Sequence, residues 1–82
     1  MSIELFQRVA LIHDVKEHGL CEGDVATIVD YVPHPANGEM GCVLEVFNAL
    51  GESLKVVVVR KSDIEPLQAD EVPAVRRLVC AA

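Results

Sequence analysis

Hydrophobic and polar positions alternate over short runs of this 82-residue chain, which is the two-residue period of β-strands. Glycine, proline and Asn-Gly punctuate the runs and mark turns. The pattern predicts five strands, at residues 8–13, 24–32, 41–48, 53–59 and 63–67. Five short strands joined by tight turns predict an all-β fold. We expect a small closed barrel of antiparallel strands, with a curved sheet capped by the terminal segment as the alternative.

The third and fourth predicted strands carry apolar residues on both faces. Alternation places the even-numbered positions of residues 42–46 on one face, which we predict to be the core face. The members of the second face are predicted to be Val43, Phe47, Val57 and Val59. Such a face must be covered by the terminal segment, by another copy of the chain or by a partner.

The last thirteen residues, 70–82, have the spacing of an amphipathic helix. Asp70 and Glu71 lie at its start and Pro73 lies in its first turn, as is common at helix starts. Its apolar positions are Val72, Val75, Leu78 and Val79. We therefore divide the chain into a barrel, residues 1–67, and a short C-terminal helical tail, residues 68–82. The tail is expected to pack on its own barrel or on another protomer.

The order of turn glycines and strand aliphatics resembles that of a family of short bacterial proteins catalogued as a domain of unknown function. The matching segments are Leu5-Phe6, Val9–Leu11, Gly19–Asp24, Thr27–Val29, Val43–Val46, Gly51 and Leu54–Val59. The resemblance implies an SH3-like barrel, related in shape to the KOW modules of transcription and translation proteins. That family has no established activity, so the resemblance implies a shape and no mechanism. Ala26 stands where relatives usually have a glycine that KOW-like modules use for close backbone approach, which disfavours nucleic-acid binding.

The composition points to self-association. The chain is 51% hydrophobic, yet it holds only two Phe, one Tyr and no Trp, so most apolar mass is aliphatic. A core of this size hides only part of such a surface. We predict a homo-oligomer, a dimer or tetramer, with another protein as a further candidate partner. The candidate surface comprises Tyr31, Val43, Phe47, Val57, Val59, Val75, Leu78 and Val79.

Net charge and cysteine content limit the kinds of partner that we expect the chain to bind and the compartment in which we expect to find it. The net charge of −6 disfavours phosphate backbones and anionic lipid surfaces. No apolar run is long enough to span a bilayer, and the N-terminal residues lack the basic start of a signal peptide. Three widely spaced cysteines do not form a disulfide framework, so we expect reduced thiols and a cytoplasmic location.

A metal or thiol site is the first catalytic alternative. His13, His18 and Cys21 could converge on zinc, but a closed site takes four ligands and no C-x2-C pair is present. Cys21 lacks an assigned base and orienting group, so it is not predicted to be a nucleophile. Cys42 is best interpreted as a small core residue. No metal and no cofactor is predicted.

Charged pairs are the second alternative. The carboxylate pairs Glu22/Asp24 and Asp63/Glu65 are interpreted as solvated turn residues. The two basic pairs, Arg60-Lys61 and Arg76-Arg77, have no aromatic neighbours in sequence for base stacking. We therefore predict no enzyme, but a non-enzymatic protein-interaction module that self-associates. The alternative function is that of a KOW-like accessory protein contacting nucleic acid.

Overall fold

The computed structural model describes residues 4–33 and 38–77. Its strands are β1 (Arg8–Leu11), β2 (Val25–Val32), β3 (Gly41–Phe47), β4 (Ser53–Arg60) and β5 (Ile64–Pro66). Short 3-10 turns at Lys16–His18 and Lys61–Asp63 precede β2 and β5. The described residues contain no α-helix. All five predicted strands are present with slightly shifted ends, so the predicted all-β class is confirmed.

The strands form one antiparallel sheet in the order β4-β3-β2-β1-β5. Two irregularities interrupt its ladders. One falls between Ile28 and Asp30 of β2, and the other falls where Phe47 of β3 opposes Ser53 of β4. Each adds one residue to one strand, which increases twist and bends the sheet.

The junction between β4 and β5 shows how strongly the sheet bends. These two strands are the opposite edges of the sheet, yet only the 3-10 turn Lys61–Asp63 separates them. The edges of a flat five-stranded sheet would lie about 19 Å apart. The four residue steps from Arg60, the last residue of β4, to Ile64, the first residue of β5, reach about 14 Å at most. The sheet therefore curls until its edges approach each other at this corner.

Closure of the sheet into a barrel is not observed. Among the described residues, β4 pairs only with β3, and β5 pairs only with β1. The observed architecture is a curved, open sheet, which was the alternative to a closed barrel. One long side of β4 is consequently left without a neighbouring strand.

The core fills the concave side of this sheet. Ile28, Leu44, Cys42 and Val9 are its largest fully buried side chains. Loop residues Val15 and Leu20 add to the core between β1 and β2. The remaining members are Leu11, Ala26, Val46, Val57, Val59 and Ile64. Burial of residues 42, 44 and 46 confirms the predicted core face of β3.

The predicted terminal helix is wrong over its described part. Residues 71–77 form no regular structure. The exposed fractions of Val72 and Val75 are 88% and 94%, so these two residues of the apolar stripe have little to pack against. A short helix without tertiary packing is marginal in water, which accounts for the difference. Leu78 and Val79, the other members of the stripe, lie outside the described residues.

Candidate interaction surface

The valines of β4 alternate between the core and the surface. Val57 and Val59 are each 5% exposed, whereas Val56 and Val58 are 57% and 51% exposed. The prediction that Val57 and Val59 face outward is therefore wrong. They lie opposite Leu44 and Cys42 of the core.

The physical reason is that four consecutive valines carry no alternation of their own. A shift of one residue exchanges the two faces of a strand. The irregularity where Phe47 opposes Ser53 supplies such a shift. The inward and outward positions of β4 therefore could not be assigned by continuing the alternation of β3 through the turn.

Apolar residues, interrupted by Glu45 opposite Val56, nevertheless lie on the convex side of β3 and β4. Val43 lies opposite Val58, and it faces outward as predicted. Phe47, also predicted to face outward, is 40% exposed at the end of β3. We call the following three residues the outer patch: Val43, Val56 and Val58.

The backbone along the open side of β4 is available for pairing. The Lys61 N–H donates to the Met40 carbonyl at 3.0 Å, which marks this pair as hydrogen-bonded. In an antiparallel ladder, hydrogen-bonded and non-bonded pairs alternate. The N–H and C=O groups of Val58 and Val56 are thus directed away from β3, toward the open side.

At the end of β4 the open side is capped by Asp63. The Arg60 N–H, which also points away from β3, donates to the Asp63 Oδ2 at 3.0 Å. The open backbone groups therefore end at Val58. The accessible edge and the outer patch share Val56 and Val58.

In the described part of the chain, Asp63 is the one charged residue that is buried. It accepts hydrogen bonds from the Arg60 Nη2 at 3.1 Å and pairs with the His13 Nε2 at 2.7 Å. Burial alone would raise the pKa of the Asp63 carboxyl, but the hydrogen bonds from Arg60 and His13 outweigh it and hold that pKa below its ordinary value. The prediction that Asp63 is a solvated turn residue is wrong.

A cleft of about 300 Å³ opens beside this corner. One wall is the end of β4, including Val58 and Val59, and the other is the loop at residues 13–17. Asp14, Glu17 and Glu39 bring three carboxylates to its lining. The cleft thus presents an acidic wall next to the accessible edge of β4, while Arg60 and His13, which also line it, are paired with Asp63.

The C-terminal segment is held at the opposite end of the β3–β4 hairpin. The Arg76 guanidinium forms two hydrogen bonds with the Asp24 carboxylate, at 2.8 and 2.5 Å. Burial would raise the pKa of Asp24, but the bonds from Arg76 and from the Cys21 N–H lower it overall. A second cleft, between residues 73–76 and the hairpin end with Phe47 and Leu54, lies alongside.

The remaining predicted residues fall elsewhere. Tyr31 is half-buried against the core, opposite Cys42, so it is not part of the outer patch. Val75 lines the second cleft but remains almost fully exposed. Cys42 is fully buried, in agreement with its predicted place in the core, and burial raises the pKa of its thiol.

The residues proposed for metal chemistry do not converge. His13 is directed to Asp63, and His18 lies in the 3-10 turn, where its carbonyl accepts a bond from the Lys55 ammonium at 2.8 Å. Within residues 4–33 and 38–77, no cluster of three or more potential ligand side chains could hold a metal ion. In the same part of the chain, no helix is long and apolar enough to cross a membrane.

Comparison with known proteins adds one finding. A family model described as "Domain of unknown function (DUF4926)" matches residues 5–66. No curated protein and no solved structure matches the chain. The match covers all five strands and leaves the C-terminal segment outside it.

Proposed function

The chain belongs to the family described as a domain of unknown function (DUF4926), and from this premise we propose that it is a non-enzymatic protein-interaction module that self-associates. The observation that carries the proposal is the long apolar strand β4, which is an edge of the sheet and exposes Val56 and Val58. A long exposed apolar edge is a template for pairing with another chain.

The two edges of the sheet differ in a way that supports this proposal. β5 has three residues and ends at Pro66, whose missing N–H prevents extension of a ladder. β4 has eight residues and no proline. Short strands and prolines are two of the devices by which proteins block sheet edges, and β4 has neither, although a bulge, Lys55 and the Asp63 cap limit its open part to residues 56–58.

The apolar side chains add a driving force to the open backbone. Removing a half-exposed valine from water contributes about 1 kcal/mol. Val56 and Val58 lie beside the open edge, so on both copies of a symmetric dimer the part of each side chain that faces the other copy would contribute. For a domain of this length, whose own core gives modest stability, such a gain is substantial.

Light scattering coupled to size-exclusion chromatography tests the proposal at tens of micromolar protein. We expect the wild-type chain to have at least twice the monomer mass, and Val56→Glu to have the monomer mass. Leu50→Glu is the matched control, because Leu50 is an 84% exposed residue in the turn outside β4. It should leave the mass unchanged. A monomeric wild-type chain at this concentration would contradict the proposal.

The nucleic-acid alternative has less support. One cation of each basic pair lies in an ion pair, Arg60 with Asp63 and Arg76 with Asp24. Phosphate contacts would have to compete with these carboxylates in a chain whose net charge is −6. We expect negligible binding to generic RNA or DNA near 0.15 M salt in a filter-binding assay. Submicromolar binding that weakens steeply with salt would favour the alternative.

A further inference from the structure

We infer that two copies of this chain pair antiparallel through the open sides of β4, with Val56 of each copy opposite Val58 of the other. The two curved sheets would then form one ten-stranded sheet around a two-fold axis at Val57. This inference rests on the proposed self-association and specifies its geometry.

The direction of the backbone groups selects the residues that pair. Val56 and Val58 both direct their N–H and C=O groups to the open side, as the bond between Lys61 and Met40 establishes. Antiparallel pairing opposes two such residues, which exchange two hydrogen bonds. Opposing Val56 to Val58 uses both residues on both copies, giving four hydrogen bonds across the axis.

A register in which Val58 of one copy lies opposite Val58 of the other is less favourable. It would pair Val56 with Arg60, but the Arg60 N–H already donates to Asp63. It would also place Lys55 opposite Lys61 of the other copy. Like charges directly opposite each other destabilise a sheet.

A register in which Val56 of one copy lies opposite Val56 of the other is also less favourable. Its outer pairs would require Leu54, which lies at the irregularity where Phe47 opposes Ser53. A bulged residue disrupts the regular ladder. The register centred on Val57 forms both of its central hydrogen-bonded pairs within the regular part of β4, and Leu54 and Arg60 meet only in its next pair outward.

Charge complementarity also favours a second copy as the occupant. In the register centred on Val57, Lys55 of one copy lies opposite Val59 of the other. Val59 lines the cleft whose opposite wall carries Asp14 and Glu17. The two-fold axis therefore brings Lys55 of each copy beside the acidic wall of the other, where its ammonium would exchange its present bond to the His18 carbonyl of its own copy for a carboxylate.

Cysteine cross-linking tests the register directly. Two variants, Val56→Cys and Val58→Cys, are made in a background with Cys21→Ser and Cys80→Ser, and the buried Cys42 is kept. Each variant is oxidised alone and in an equal mixture. We expect the mixture to form a disulfide-linked dimer several-fold faster than either variant alone. The link should join position 56 to position 58 by peptide mass spectrometry.

The alternative outcomes are distinct. Faster linking of either variant with itself would overturn the proposed register. A dimer mass by light scattering without linking in any sample would overturn pairing through β4 and leave self-association standing. A monomeric mass would overturn both.

Amide hydrogen exchange gives a measurement without substitutions. The amides of Val57 and Val59 already point to β3, so their protection should not depend on protein concentration. The amides of Val56 and Val58 should become at least tenfold better protected between about 10 µM and 500 µM protein. Equal protection of Val56 and Val58 at both concentrations, in a sample that light scattering shows to dimerise, would overturn the inference.

Discussion

Arg76 and Asp24 lie 52 positions apart in sequence and form a bidentate ion pair that fixes the C-terminal segment beside the start of β2. Their side chains are 32% and 18% exposed, so the pair is partly accessible to water. Such pairs contribute little to stability, typically less than 1 kcal/mol. The contact therefore positions the segment more than it stabilises the sheet.

Replacing the two partners should have unequal effects. Arg76→Ala should lower the free energy of unfolding by less than about 1 kcal/mol. Asp24→Ala should cost about 1–2 kcal/mol, because the Asp24 Oδ2 also accepts the Cys21 N–H at 2.8 Å and this hydrogen bond would be lost as well. Urea unfolding measures both values. An equal or larger loss for Arg76→Ala would contradict the prediction.

The buried carboxylate Asp63 should give the protein a pH-dependent stability. Its folded-state pKa lies below the unfolded-state value of about 3.9. Its contribution is therefore complete above that value and is lost as pH falls through the folded-state pKa. Asp63→Asn should cost about 1–3 kcal/mol at pH 7, and this difference should shrink below pH 4.

Urea unfolding at pH 7, 4 and 2.5 checks this, because carboxyls common to both chains cancel in the difference. Glu65→Gln is the control, since Glu65 is an exposed carboxyl two positions further along the chain. Its effect should stay within about 0.5 kcal/mol at each pH. A difference for Asp63→Asn that does not change with pH would refute the assignment.

Phe6 has a left-handed backbone conformation that favours glycine. Its φ is 65°, its side chain is 73% exposed, and its N–H donates to the Ile28 carbonyl at 2.6 Å. A residue that has a Cβ is about 1–2 kcal/mol less stable than glycine in this backbone conformation. Phe6→Gly should therefore be about 1 kcal/mol more stable than Phe6→Ala in thermal or urea unfolding.

The same pair of substitutions at Phe47 provides the control. Phe47 ends strand β3, where glycine has no conformational advantage. Phe47→Ala should be more stable there than Phe47→Gly. If alanine were the better residue at both positions, the strain at Phe6 would be refuted.

The thiols should differ in reactivity. Cys42 is fully buried and burial raises the pKa of its thiol, so few thiolates form and reagent has no access. Cys21 is half-buried in the loop before β2. Iodoacetamide at pH 7.5 should modify Cys21 in the folded protein and Cys42 only after unfolding, as peptide mass spectrometry would show. Similar rates at the two sites would contradict this placement of Cys42.

Local patterns were sufficient to predict the strands. β-Branched runs and turn glycines located all five, and alternation in β3 identified Leu44 and its neighbours as core. The four valines of β4 have no such alternation, so their inward and outward positions depended on the irregularity opposite Phe47. The C-terminal stripe had helical spacing, but spacing does not supply a surface to pack against.

The corner at Asp63 could not be predicted for a different reason. Its burial depends on His13, 50 positions away, and on the curl of the sheet that brings the two residues together. The three-residue spacing from Arg60 to Asp63 was the one local sign of an ion pair. A carboxylate in a turn is usually solvated, so that spacing alone did not indicate a buried site.

The proline that ends β5 has a consequence for the size of any assembly. A sheet with two open edges adds copies at both ends and grows into a fibre without limit. Here one edge is open and the other is blocked at Pro66. Once two chains have joined through β4, only blocked edges remain outside, and polymerisation stops. An apolar strand that would otherwise threaten solubility is therefore compatible with a discrete particle of defined mass.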